Sequence, residues 1–321
     1  MILVRSPLRI TLGGGGTDLP SYSSQFGGFC LSAALDKYVY VAVTRPFYPG
    51  IYLKYSELER CETPAQIQHP IMRAALKGQP QIEITTLADI PAGTGLGSSS
   101  SFTTALLQAL AAYEHQHLTH ERLAQRACEI EITELQQPIG KQDQYIAAYG
   151  GLCAFTFKPD GSVHVYKPAL SHAARTHLED HLLLFFTGHR RATIDILRDQ
   201  NERTKLSDTA MLDNLHATKH IGEQTFAALQ REDFVGFGHW LHQQWILKEK
   251  RSPGIIPQAI VDLYNVGWRT GAQGKLVGAG GGGFLLFYTE EPRRLRAAMN
   301  TEGLEELRFH FDYEGTKVLL S

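Results

Sequence analysis

With 321 residues, 43% of them hydrophobic and 20% charged, the chain is long enough for two cores of ordinary soluble composition. A net charge of −2, without a basic stripe or tail, argues against nucleic acid or an anionic membrane as partner, although a small anionic substrate needs only a few local donors. No apolar run approaches the roughly 20 residues that span a bilayer, and the four scattered cysteines (Cys30, Cys61, Cys128, Cys153) lack a Cys-x-x-Cys pair and read as reduced thiols of a cytoplasmic protein.

The first ten residues place Arg5, Pro7 and Arg9 in a strand-like alternation, which does not resemble a signal peptide. Strands are expected at 3–12, 29–34, 38–44, 51–55 and 81–87, and helices at 65–76, 99–113, 120–135 and 139–148. Segments 152–157 and 163–166 read as a hairpin turning on Pro159-Asp160-Gly161. The polar stretch 168–179 lacks apolar periodicity and marks a boundary, giving domains 1–168 and 169–321. Beyond it come a strand at 181–186, helices at 194–230, 233–250 and 257–270, and a strand at 284–288. A helix at 292–299 and strands at 307–311 and 317–320 close the chain. Strands and helices interleave without strict βαβ repetition, an α+β pattern. Fourteen histidines, among them His115, His117, His120, His172, His177 and His181, show no ligand spacing supported by acids or cysteines and read as solvated.

The most informative run is Pro91-Ala92-Gly93-Thr94-Gly95-Leu96-Gly97-Ser98-Ser99-Ser100-Ser101, between an expected strand and an expected helix. A glycine-rich turn entering a helix aims free backbone N–H groups outward, with the positive end of the helix dipole behind them, and so cradles phosphate. The serine hydroxyls can donate to phosphate oxygens or ligate magnesium. A Walker loop would need lysine where Gly97 stands, and the spacing Gly93-x-Gly95-x-Gly97 is not a dinucleotide fingerprint.

A second cluster, Gly13-Gly14-Gly15-Gly16-Thr17-Asp18, ends the first strand. In regular structure each glycine costs about 0.5–1 kcal/mol relative to alanine, so four in a row suggest a backbone that a ligand approaches closely, with Asp18 at the rim. A third, Gly278-Ala279-Gly280-Gly281-Gly282-Gly283, precedes the strand at 284–288. Between them lie Glu129, Glu131 and Glu134, whose spacing alone does not say which turns inward, and then Asp143 beyond the breakers Pro138 and Gly140.

Taken together these clusters resemble the GHMP kinases, the superfamily of galactokinase, homoserine kinase and mevalonate kinase. The segment from Pro7 through Asp18 is similar to the family's first motif, Pro91 to Ser101 to its phosphate loop, and Lys275 through Phe284 to its third. The resemblance implies ATP as co-substrate with Mg²⁺, bound at Pro91, Gly93, Gly95, Leu96, Gly97, Ser98, Ser99, Ser100 and Ser101 and at the third-motif glycines Gly278, Gly280, Gly281 and Gly282. It implies Ser99 and Glu131 as magnesium ligands, Asp143 as the catalytic base with Arg9 beside it, and Asp18 on substrate hydroxyls, with Gly14, Gly15, Gly16 and Thr17 nearby. The implied fold has two domains, a ribosomal-protein-S5-like N-terminal one and a ferredoxin-like C-terminal one, with the active site between them. Where galactokinases carry Glu-His this chain has Gly15-Gly16, which makes room for a larger sugar. The wording of the 13–20, 138–145 and 149–151 segments is similar to the heptose 7-phosphate kinase subgroup, which phosphorylates the anomeric O1 of a sugar phosphate in building surface polysaccharides. A sugar phosphate needs a second anion site, for which Arg191, Arg190 or Lys141 are candidates. Kinases of fucose or another hexose, and a catalytically silent sugar sensor, are the rival readings. The oligomeric state is open, and a homo-oligomer is compatible with the sequence.

Overall fold

A computed structural model describes residues 1–78, 81–189, 193–251 and 255–321, with the side chains of Thr193 and Ile194 also left aside. The chain runs β1 (Ile2–Gly13), α1 (Pro20–Phe26), β2 (Gly28–Thr44), β3 (Gly50–Lys54), β4 (Leu58–Cys61), α2 (Pro70–Ala75), β5 (Gln81–Ala88) and α3 (Ser98–Tyr113). It continues through α4 (His120–Cys128), α5 (Gln142–Tyr149), the hairpin β6 (Leu152–Phe157) and β7 (Val163–Tyr166), α6 (His172–His181) and β8 (Leu182–Phe186). Three long helices follow, α7 (Thr193–Lys205), α8 (Thr209–Gln230) and α9 (Phe234–Arg251). Last come α10 (Gln258–Arg269), β9 (Gln273–Leu276), β10 (Phe284–Tyr288), α11 (Pro292–Thr301) and β11 (Lys317–Leu320). Among the described residues no helix is long and apolar enough to cross a membrane.

The architecture is α+β. One eight-stranded sheet has the order β11-β1-β2-β5-β3-β4, with β6 joining β2 and β7 joining β6, and a second, three-stranded sheet has the order β8-β10-β9. The first sheet is covered on both sides. Val41, Ile84 and Ile146 pack with Leu106 and Leu110 of α3 in one core, while Leu8, Ile10 and Leu12 meet Leu229, Phe237 and Leu286 in another. That double cover explains why β1 is buried continuously from Ser6 to Gly13 rather than alternately. Leu8, Ile10 and Leu12 are each fully buried, worth about 2 kcal/mol apiece. A third core, around Tyr264, Phe287 and Met299, holds α10 and α11 to the second sheet.

Several elements differ from expectation for identifiable reasons. The segments at 29–34 and 38–44 are one strand, because the β1–β2 register absorbs Asp36 and Lys37 as a bulge opposite Pro7 and Leu8. The helix expected at 65–76 breaks before Pro70, whose ring holds His69 extended (φ −65°, ψ 112°). The aperiodic stretch before 179 contains α6, started by the Ser171 side chain accepting from the Ala174 amide. The long helix at 194–230 is two, divided at Ser207 (φ 56°) and recapped by Asp208. The segment 307–311 makes a single isolated bridge, Phe311 to Leu35, and β9 had no advance signal. β11, from the second half of the chain, pairs antiparallel with β1 in the first sheet.

Candidate functional site

A cleft between the two sheets is lined by the end of β1, the Gly15–Gly16 turn, the start of α5, α9, and the turn after β9. At its centre Arg9 grips Asp143 with both arms: Nε donates to Oδ1 at 2.7 Å and Nη2 to Oδ2 at 2.6 Å, while Nη1 donates to the Gly95 carbonyl at 2.6 Å. One arginine therefore joins the catalytic candidate to the phosphate loop. The bidentate fork fixes the carboxylate's plane, which a single lysine contact would not.

Asp18 lies beside this pair and is almost fully buried. Its Oδ1 accepts from the Gly16 amide (3.1 Å) and its Oδ2 from the Gln142 amide (3.1 Å), so the first glycine turn is tied to the N-terminus of α5. Burial pushes its carboxyl up, the Asp143 charge adds to that, and the backbone hydrogen bonds oppose it. Gly15 and Gly16 face the cleft. Gly14 and Thr17 do not line it, contrary to the sequence expectation. Thr17 has its hydroxyl on the Gly14 and Phe29 carbonyls (2.8 Å each), and a Cβ on Gly14 would lie 1.9 Å from the Phe29 oxygen. Gly14→Ala, at φ +74° with a backbone clash, should cost about 3 kcal/mol or more. Gly15→Ala, with Thr11 Cγ2 at 3.1 Å as its nearest obstacle, should leave the thermal midpoint nearly unchanged. Paired melting curves check this.

The phosphate loop uses glycine where its backbone turns left-handed, at Gly93, Gly95 and Gly97 (φ 81°, 87° and 77°). Pro91 and Gly93 are exposed, whereas Leu96 is buried. Its four serines divide in two. Ser98 and Ser99 reach the surface, while Ser101 is sealed, donating to the Pro7 carbonyl at 2.7 Å. Ser100 is buried against Glu131. The third glycine cluster packs closely as well as bordering the cleft at Gly278: Gly278 abuts Gly95, Gly280 abuts Ile255, and the Gly281 amide donates to the Ile255 carbonyl at 2.7 Å. A Cβ on Gly282 would meet the His189 carbonyl at 2.5 Å.

Glu131 is the acid that turns inward. The helix expected to continue to 135 changes at Glu129 to a π-helical turn, closed by the Leu135 amide on the Ile130 carbonyl. The widened turn buries Glu131, while Glu129 and Glu134 stay outside on Arg126 at 3.0 and 2.7 Å. Glu131 accepts from Ser99 (3.2 Å), Ser100 (2.9 Å) and Gln144 (2.5 Å), and no Lys, Arg or His among the described residues pairs with it. Burial pushes its carboxyl up against those hydrogen bonds. Nearby, Gln144 Oε1 is buried with no partner. An unbalanced buried carboxylate, exposed serine oxygen and an orphaned amide oxygen form an all-oxygen donor set of the kind magnesium takes.

Lys141 is turned away from the cleft, donating to the Gly161 carbonyl at 2.7 Å, so it does not stand beside Asp143 as expected. Arg190 and Arg191 lie outside the described residues. Sequence reasoning missed the cations of the opposite wall: Lys248 and Arg251 on α9 and Lys275 on β9 are 9%, 8% and 6% exposed. Burial holds Lys248 well below the ordinary lysine range, Lys275 down to about 7 and Arg251 down to about 10. Above pH 7 the folded chain thus binds fewer protons at Lys275 than the unfolded chain does. Stability in the absence of ligand should therefore rise as pH climbs from about 7 towards the usual lysine value, and Lys275→Met should remove part of that slope. Denaturation midpoints at pH 7 and 9 measure it. Away from the cleft, His177 and His181 stack at 4.0 Å and, with Glu290, place potential ligand atoms within 4.8 Å of one another, a spacing hidden while α6 went unrecognised.

Residues 67–151 match the GHMP kinases N terminal domain family. The chain is 28% identical, over 98% of both proteins, to D-glycero-alpha-D-manno-heptose 7-phosphate kinase of Campylobacter jejuni subsp. jejuni serotype O:2. It is also 28% identical to the L-fucokinase/L-fucose-1-P guanylyltransferase of Bacteroides fragilis, over 90% of this chain but 34% of that larger protein. The crystal structure of a D-glycero-D-manno-heptose 1-phosphate kinase from Bacteriodes thetaiotaomicron has the same fold, with a TM-score of 0.82 at 24% identity, covering 100% of this chain and 99% of that one. The match of residues 67–151, the full-length relative and the shared fold agree with the glycine turns and the carboxylates between them: the chain carries a segment of the GHMP kinases N terminal domain family and is similar over its whole length to a sugar-phosphate kinase.

Proposed function

We propose that this chain is a cytoplasmic sugar-phosphate kinase that transfers the γ-phosphoryl group of ATP to the anomeric O1 of D-glycero-D-manno-heptose 7-phosphate, giving the 1,7-bisphosphate. One observation carries the reading: Asp143 is locked by Arg9 in a cleft that also holds Asp18 and opens beside a glycine loop at a helix N-terminus. The full-length heptose 7-phosphate kinase relative supports the substrate class, and Gly15 and Gly16 line the cleft with backbone, Arg251 and Gln200 packing against the Gly16 turn.

Asp18 and Gln142 line the cleft and can orient sugar hydroxyls. Asp143 accepts the proton of the attacking hydroxyl as the new O–P bond forms and the bond to the ADP leaving oxygen breaks. Arg9, spanning Asp143 and the Gly95 carbonyl, holds base and loop in one geometry. The amides around Gly93–Ser99 receive the polyphosphate. Glu131 and Ser99 would hold magnesium, which neutralises phosphate charge when bound. The four cysteines are buried free thiols, in keeping with a reducing compartment.

The test is ADP release over a panel: heptose 7-phosphate, free heptose, galactose, and L-fucose as the control that the fucokinase relative demands. Turnover should be greatest with heptose 7-phosphate. Preferential turnover of fucose would move the assignment to a deoxyhexose kinase, and tight sugar binding without any ADP release would favour a sensor.

A further inference from the structure

The cleft wall has a charge imbalance that the transfer chemistry does not use. Four cations (Arg9, Lys248, Arg251, Lys275) and two carboxylates (Asp18, Asp143) line it, and Arg9 and Asp143 are committed to one another. Lys248, Arg251 and Lys275 have no carboxylate partner among the described residues, and their hydrogen bonds go to neutral groups. Lys248 donates to the Leu276 (3.0 Å) and Gly278 carbonyls, and Lys275 donates to Gln244 Oε1 at 2.6 Å. Arg251 spreads over Asn214 Oδ1 (2.9 Å), Gln200 Oε1 (3.3 Å) and Thr218 Oγ1 (2.9 Å). Buried charge without a counter-charge opposes folding, because desolvation is not offset by attraction. These side chains nevertheless border the cleft, and neutral residues of similar size would pack there at less cost.

Arg251 also fixes where the excess lies. Its Nη1 is 3.0 Å from where a Gly16 Cβ would stand, so it sits across from the glycine turn rather than beside the phosphate loop. With Asp18 counted against it, the described part of the wall reaches a surplus of two positive charges once an anion draws both of its buried lysines into the protonated form. A phosphomonoester, with about 1.5 to 2 negative charges near neutrality, matches that surplus. We infer that Lys248, Arg251 and Lys275 form the subsite for the phosphate a sugar substrate already carries, distinct from the loop that receives the nucleotide. This rests on the kinase reading above and replaces Lys141 as the anion contact.

The experiment compares wild type with Arg251→Gln and Lys248→Met, using heptose 7-phosphate and free heptose at saturating ATP. For the 7-phosphate kcat/KM should fall about 100-fold, the ATP KM should change little, and the wild-type preference for the phosphorylated sugar should disappear. A preference that survives both substitutions, or an ATP KM that rises in step, overturns the subsite. Inorganic phosphate supplies a readout without turnover: it should raise the wild-type melting temperature more than that of either variant, and equal shifts overturn the proposal. If wild type phosphorylates no sugar while phosphate still stabilises it selectively, the kinase reading fails and the anion site stands. Arg251→Lys, which keeps the charge, should recover part of the phosphate shift and so separates lost binding from lost folding.

Discussion

Asp143→Asn should lower turnover by about 10²–10⁴-fold, the range that a positioned general base contributes, while both substrates still bind. Asparagine keeps the size of the side chain and one oxygen for the Arg9 fork, so the wall of the cleft should survive the change. What it removes is the second carboxylate oxygen and the capacity to take the hydroxyl proton. Isothermal titration of the sugar phosphate and of a non-hydrolysable ATP analogue should give affinities near wild type, while ADP release nearly stops. Retention of turnover within about tenfold would assign the proton to another group. Removing Arg9 is a poorer experiment, because it frees Asp143 and unlinks the Gly95 carbonyl together.

The second large effect is expected at Glu131. Glu131→Gln keeps the shape and the hydrogen bonding of a fully buried side chain but deletes a charge that no cation among the described residues balances. Activity at ordinary magnesium should fall at least about 100-fold, in the manner of lost metal ligation, and rise again only in part as magnesium is added. Stability should move the other way. Because burial raises the Glu131 pKa, the folded state binds more protons there than the unfolded chain just above the usual carboxylate range, so this group makes stability fall as pH rises through that window. In EDTA the variant should lack that decline and melt no lower than wild type at pH 7. Undiminished turnover at low magnesium would remove Glu131 from the metal site.

The glycine turn at 93–97, the helix after it and the short helix carrying Asp143 were readable because local chemistry dictates them. Glycines in left-handed turns, a helix beginning at Ser98 and an acid after Pro138-Ile139-Gly140 are all short-range signals. Spacing alone could not say which of Glu129, Glu131 and Glu134 points inward, since the answer depends on a π turn set by packing against α3 and α5, and only the family resemblance singled out Glu131. Thr17 and Gly14 looked like ligand contacts because glycine-rich wording cannot separate an approach by a ligand from an approach by the Phe29 carbonyl. Lys248 and Arg251 gave no signal at all, and Lys275 stood only as the first residue of the third motif. Two sit in a helix tail that reads as an ordinary basic C-terminus, and only the folding of α9 against β9 turns them into one wall.

Gly95 and Gly278 touch backbone to backbone, with no side chain as a cushion: a methyl on Gly278 would fall 2.9 Å from the Gly95 α-carbon. Arg9 is latched to the Gly95 carbonyl on one flank, and Lys248 to the Gly278 carbonyl on the other. A methyl group at position 278 could therefore be accommodated only by separating two backbones, each of which is held by a buried cation.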